Sequence, residues 1–187
     1  MTKQANQYKR ISKFLSLILR HKPETIDLKL DENGWASVEE LLEKVNRDHF
    51  VLLLDDLKAV VEQNDKKRFS FSPDFSQIRV NQGHSIRVDL KLEQQSPPDL
   101  LFHGTATRNL DSIKEKGLLK GQRNHVHLSA DQATARNVGI RYGKPMVLHI
   151  DTGKMHHDGH SFYLSDNGVW LVDHVPSDYI KFPDLEG

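Results

Sequence analysis

Between Tyr8 and His21 the apolar positions Ile11, Phe14, Leu15, Ile18 and Leu19 recur at helical spacing. They predict a helix that Pro23 stops at about Lys22, leaving Arg20, His21 and Lys22 in its last turn. Cations are favourable there because the carbonyl end of a helix is negative. After the Asn33-Gly34 turn, Ser37 and Glu40 form a capping box that opens a second helix, with Val38, Leu41, Leu42 and Val45 as its buried stripe. A third helix is predicted from about Phe50 to Gln63, carried by Leu53, Leu54, Leu57, Val60 and Val61. Asn64 to Lys67 reads as a polar turn. Two alternating runs, Arg68 to Phe71 and Gln77 to Val80, flank Ser72-Pro73-Asp74 and predict a hairpin. Three helices followed by a hairpin is the order of a winged helix, so roughly the first 90 residues read as one small α+β lobe.

His84 to Leu92 alternates as a further strand, and Gln94-Gln95-Ser96-Pro97-Pro98 has the composition of a linker, which places the lobe boundary between residues 95 and 96. Beyond it the pattern predicts a strand to Phe102 and a helix from about Asn109 to Lys116, ended by Gly117. A strand over 125–129 follows, then a helix capped by Ser129 with Gln132 and ending by Tyr142 and Gly143. Met146 to Ile150 and Val169 to Val172 are apolar strands, the latter after the Asp166-Asn167-Gly168 turn. Helices scattered among short strands without strict alternation indicate a mixed sheet of the α+β class.

One stretch departs from ordinary patterning. Strand period puts Arg123, His125, His127 and Ser129 on one face and Val126 and Leu128 on the other. A guanidinium, two imidazoles and a hydroxyl in a row are costly unless that face lines a site. It reads as the floor of an anion-binding, nucleotide-sized cleft.

Composition narrows the possibilities. Hydrophobic residues make up 37% of the 187, enough for a core, and the mean hydropathy of −0.59 is that of a soluble protein. No apolar run approaches the ~18 residues of a membrane span, and Met1 to Arg10 is polar rather than signal-like. The absence of cysteine excludes disulfides, thiolate metal sites and cysteine nucleophiles, and a cytoplasmic protein is expected. Lys+Arg and Asp+Glu are both 26, with 16 basic and 15 acidic side chains through Pro98. Neither half is a broad basic surface, so any nucleic acid must be gripped locally.

There is no Walker loop, no Gly-x-Gly-x-x-Gly after a strand and no Gly-x-Ser-x-Gly elbow. Gly139 to Gly143 is a helix stop. His156-His157-Asp158-Gly159-His160 matches no closed metal site and reads as a solvated loop. The residues that stand out are Arg20, His21, Arg68 and Arg123, with His103 and His127. Each alone is explicable as a helix-end cation, a strand flank or a satisfied imidazole. Together they offer arginines from both lobes to one anionic group, and guanidinium meets phosphate oxygens bidentately while staying charged.

With these residues on view, the chain resembles the NAD-dependent RNA 2′-phosphotransferases (tRNA 2′-phosphotransferases) from Ser12 to about Val175. The matching pieces, in order, are Phe14 to His21, Gly34-Trp35, Asn64 to Phe69, Gln82 to Ser85, His103-Gly104-Thr105, Arg123 to Ser129 and Asn167 to Trp170. The resemblance implies an N-terminal winged-helix RNA-binding lobe over 1–95 and a C-terminal ADP-ribosyltransferase-like mixed β-sheet lobe over 96–187, binding NAD. It implies Arg20, His21, Arg68 and Arg123 as the catalytic tetrad, and His103, Gly104, Thr105, His127 and Ser129 at the NAD. Gln82, His84 and Ser85 would stand near the substrate phosphate. The implied reaction moves an internal RNA 2′-phosphate onto NAD, consumed as co-substrate, without a metal. The expected partner is a 2′-phosphorylated, tRNA-like RNA from splicing or damage repair, acted on by a monomer away from membranes. Two other classes compete, a protein or small-molecule ADP-ribosyltransferase and a nonenzymatic winged-helix nucleic-acid binder. The first commonly uses a late catalytic glutamate, and no Glu occurs between Glu115 and Glu186. The second should carry a basic recognition helix, yet Phe50 to Gln63 has Lys58 against Asp55, Asp56 and Glu62.

Overall fold

Helix α1 (Lys3–Arg20) buries Ile11, Leu15, Ile18 and Leu19, a stripe at the i, i+4, i+7 and i+8 spacing of a helix seated on a core. The computed structural model to which it belongs describes residues 3–183 and divides into two units, Met1–Lys91 and Leu92–Gly187. Each has its own apolar core.

In the first unit α1 is followed by a 3-10 turn (Pro23–Ile26), strand β1 (Ala36–Ser37) and helix α2 (Val38–Asp48). The Ser37 hydroxyl accepts from the Glu40 amide at 3.3 Å, the predicted cap. Helix α3 (Leu54–Glu62) starts later than expected. Val51, Leu53 and Leu54 are exposed, and the buried residue of the approach is Leu52. The cause is local. Asn46 of α2 accepts from the Leu52 amide at 2.6 Å and donates to its carbonyl at 3.1 Å, which holds the approach extended. Strands β2 (Phe69–Phe71) and β3 (Gln77–Val80) form the predicted hairpin, and β1 adds to the other edge of β3, all antiparallel. Asp74 in its turn accepts from the Ser72 and Ser76 hydroxyls, which holds its carboxyl down at about 2.

His84 to Leu92 is not a strand. Its bonds go to separate places, Ser85 N–H to the Arg20 carbonyl and Asp89 N–H to the Glu32 carbonyl, so no ladder forms along it. Alternation without a neighbouring edge does not make a strand.

The second unit contains, in order, β4 (Leu100–Ala106), a 3-10 turn (Thr107–Asn109), α4 (Leu110–Lys116), β5 (Leu118–Leu119), β6 (Val126–Leu128), α5 (Gln132–Gly139), a 3-10 turn (Ile140–Tyr142), β7 (Pro145–Asp151), α6 (Thr152–His157), β8 (Tyr163–Leu164), β9 (Trp170–Val172), β10 (His174–Val175), a 3-10 turn (Ser177–Tyr179) and β11 (Ile180–Lys181). The expected mixed sheet is instead a set of small antiparallel ones, ordered β11-β7-β4, β6-β9-β8 and β10-β5. A bridge between Phe102 and Ser129, with N–O distances of 2.9 and 2.8 Å, brings β4 alongside the end of β6. Because the Ser129 backbone is engaged there, it does not cap α5. Asp131 does, accepting from the Thr134 amide at 2.7 Å. His156 and His157 close α6 rather than lying in a loop, and the next residue, Asp158, accepts from Lys154 and from the Tyr179 hydroxyl.

Helix α5 lies hard against β4, and Gly104 is the reason it can. A Cβ at Gly104 would stand 1.7 Å from the Ala135 carbonyl oxygen, and one at Gly139 would stand 2.7 Å from that of Thr105. Two glycines facing each other allow the backbones to meet.

Candidate active site

In the first unit the end of α1 is held by the loop that leaves β3. Ser85 donates its amide to the Arg20 carbonyl at 3.0 Å, and its hydroxyl is 2.9 Å from His21 Nδ1. Gly83, at φ +89°, gives this loop a bend that only glycine adopts cheaply. His84 lies beneath, 1% exposed, with Gly34 beside it and Arg20, His21 and Arg79 around it. Burial first, then those cations, push its imidazole down to about 4, so it is neutral at physiological pH. Its Nε2 is buried without a hydrogen-bond partner. Arg79 stacks its guanidinium on Trp35 at 4.5 Å, an arrangement the sequence did not suggest.

Arg68 enters β2 one residue before the strand. Its carbonyl accepts from the Asn81 amide at 2.8 Å, so its backbone pairs with the residue that precedes Gln82. Its guanidinium Nη1 donates to Asn64 Oδ1 at 3.3 Å. Thus Arg20, His21, His84 and Ser85 are gathered by direct bonds and burial, with Arg68 and Gln82 tied in through Asn81. The half-buried Gln82 has no contact that assigns it a role.

In the second unit the β4–β6 adjacency assembles the remaining candidates. His103 on β4 donates from Nδ1 to the His127 carbonyl at 3.0 Å. Arg123 donates from Nη1 to His127 Nδ1 at 2.8 Å. Guanidinium has no lone pair to offer, so His127 Nδ1 is the acceptor and this imidazole is neutral with its proton on Nε2. Burial, and secondarily the charge of Arg123, hold the His103 imidazole below its ordinary range despite the bond to the carbonyl, leaving Nε2 as an acceptor. Thr105 is buried and its hydroxyl accepts from Asn109 at 3.1 Å. Ser129 reaches the cluster through its bridge to Phe102. Gly104 is part of the site's frame through its approach to α5.

His125 departs from the predicted face. It and Arg123 precede the strand, and its ring packs against Tyr163 at 5.8 Å, where burial lowers its basicity. The second unit therefore sets the Arg123 guanidinium on the His127 imidazole and the His103 imidazole on the His127 main-chain carbonyl, both rings neutral. That set suits a polar, largely uncharged ligand part beside an anionic one. No group of three or more metal-ligating side chains occurs among the described residues, and no helix among them is long and apolar enough to cross a membrane. Sequence reasoning passed over Asn64 as a turn residue and did not single out Asn81. Only Asn81 offered a signal, as an Asn directly between the end of β3 and Gln82.

Residues 6–174 match the model of the RNA 2′-phosphotransferase, Tpt1 / KptA family. A probable RNA 2′-phosphotransferase of Acaryochloris marina is 59% identical over 174 residues, covering 92% of this chain and 96% of the relative. Proteins of the same description are 54% identical in Rhodopirellula baltica (92% and 94% covered) and 52% identical in Fusobacterium nucleatum (92% and 97%). The chain belongs to the RNA 2′-phosphotransferase family, Tpt1 / KptA.

Proposed function

We propose that this RNA 2′-phosphotransferase moves an internal RNA 2′-phosphate to NAD in two steps, using a winged-helix lobe for RNA and an ADP-ribosyltransferase-like lobe for NAD. In the first step a phosphate oxygen bonds to the anomeric carbon of the nicotinamide riboside while the carbon–nitrogen bond breaks, and nicotinamide leaves with the electron pair. In the second the adjacent ribose 2″-hydroxyl attacks phosphorus and the RNA 2′-oxygen leaves. A proton passes from the first oxygen to the second. The products are RNA 2′-OH, ADP-ribose 1″,2″-cyclic phosphate and nicotinamide.

The residues suit these demands. A phosphate monoester with a second pKa of ~6 is largely dianionic near neutrality, so it needs aiming rather than deprotonation. Arg20, Arg68 and Arg123 supply charge that does not titrate, first to orient the dianion and then to stabilise the crowded phosphorus. His21 handles the proton of the second step, since imidazole exchanges protons near neutrality. At the NAD, His103 Nε2 accepts, His127 Nε2–H donates, and Thr105 and Ser129 contribute hydroxyls. The observation that supports this reading best is the Arg123–His127–His103 cluster, which sets a fixed cation beside two neutral imidazoles.

The test is incubation with NAD and an oligonucleotide bearing one internal 2′-phosphate. Loss of that phosphate with release of nicotinamide is expected, and only when NAD is present. Phosphate loss without NAD contradicts the proposal. Labelling of polypeptide from labelled NAD marks a protein ADP-ribosyltransferase, and binding without NAD consumption marks a simple nucleic-acid binder.

A further inference from the structure

Asn64 is buried at 9% exposure, in a turn the sequence marks as polar. A buried amide is costly unless its groups are matched, so its bonds show what it is for. Its Nδ2 donates to the Ser12 hydroxyl on α1 at 3.0 Å. The orientation of the amide is fixed from the other side, because the N–H groups of Arg68 can only donate and so require the oxygen, which leaves the nitrogen for the Ser12 hydroxyl. Oδ1 is then turned to Arg68, accepting from its Nη1 at 3.3 Å and its backbone N–H at 3.4 Å. The turn itself is closed separately, by the Asn64 carbonyl accepting from the Lys67 amide at 2.7 Å, which any residue at 64 can supply.

We infer that Asn64 is a positioning residue for Arg68, an amide clamped to α1 through Ser12 that aims the guanidinium at the RNA 2′-phosphate. The inference rests on the proposed engagement of that phosphate by Arg68. A neutral amide acceptor fits the task. It restricts the guanidinium without cancelling its charge, as a carboxylate at 64 would. The side-chain entropy of a long arginine is thereby lost before substrate arrives, so less is lost on binding.

The experiment compares wild type, Asn64→Ala, Arg68→Gln and the double variant. It measures affinity for a short RNA carrying one 2′-phosphate and for the same RNA with a 2′-hydroxyl, alongside kcat, KM and thermal midpoint. Asn64→Ala is expected to reduce the preference for the phosphorylated RNA about ten-fold, and adding it to Arg68→Gln to cost less than about two-fold more, because residues acting through one another are non-additive. Asn64→Asp is expected to lose as much as Asn64→Ala, although it preserves shape. Should Asn64→Ala unfold the chain, Ser12→Ala removes only the clamp and is expected to show a smaller loss that also disappears beside Arg68→Gln. An equal loss in both backgrounds, or no loss in Asn64→Ala, overturns the inference while leaving Arg68 in its proposed role. An Arg68→Gln variant with undiminished preference overturns both.

Discussion

A guanidinium that already donates to a neutral imidazole has fewer rotamers to lose than one moving in water, so Arg123 is prepared for an anion in a way its exposure alone would not suggest. The same logic applies to His21, whose Nδ1 lies 2.9 Å from the Ser85 hydroxyl. Ser85→Ala is expected to slow phosphate removal about ten-fold and to displace the pH–rate profile, with Ser85→Thr restoring most of the rate. A profile unchanged in Ser85→Ala would show that the hydroxyl does not orient the ring. His84 makes a stability prediction. Its folded pKa of about 4 lies below that of an exposed imidazole, so the unfolded chain binds the proton first as pH falls. Its contribution is complete above ~6.5 and is lost toward pH 4, at about 1.4 kcal/mol per unit. Denaturant midpoints at pH 7 and pH 5 should therefore differ more in wild type than in His84→Asn, and equal differences would contradict this.

At the scale of elements, the close contact of α5 with β4 depends on Gly104 having no side chain. Gly104→Ala drives a methyl into the Ala135 carbonyl, and a loss of more than about 3 kcal/mol is expected in thermal unfolding. Gly121→Ala meets no atom and suffers only its positive φ, so about 1 kcal/mol is expected there. Comparable midpoints for the two variants would refute the close-contact account. Asp131→Ala should cost about 1 kcal/mol through the lost cap of α5, while Ser129→Ala leaves that helix end intact. The caps also show what was legible in the sequence. Ser37 with Glu40 was readable because a capping box is local and its helix begins at once. Ser129 and Asp131 stand two residues apart with equal capping chemistry, and the choice is made by the bridge from Ser129 to Phe102, a long-range contact. For the same reason α1 and the β2–β3 hairpin were predictable from periodicity. The extended approach to α3 was not, because it depends on Asn46 binding Leu52. Of the site, the arginines and histidines were visible as residue types, whereas the Arg123–His127–His103 bonds required β4 and β6 to be neighbours. Asn64 was hidden because burial of a turn residue leaves no periodic trace.

For the molecule as a whole, equal numbers of acidic and basic groups imply that specificity comes from a few placed cations rather than from a general field. Affinity for RNA without a 2′-phosphate should accordingly be weak, and its dependence on salt should correspond to fewer than about four phosphate contacts. A steep salt slope for 2′-hydroxyl RNA would indicate a broad basic surface instead. In the proposed reaction the bonding around Arg123 answers one chemical demand, a non-titrating positive site for a dianion that would attack carbon and then be attacked at phosphorus. The most direct test is single-turnover removal of an internal 2′-phosphate, with NAD supplied, by Arg20→Gln, Arg68→Gln and Arg123→Gln. Each is expected to lose at least about a hundred-fold in rate while keeping the wild-type thermal midpoint. Full-speed removal by all three variants would contradict the account.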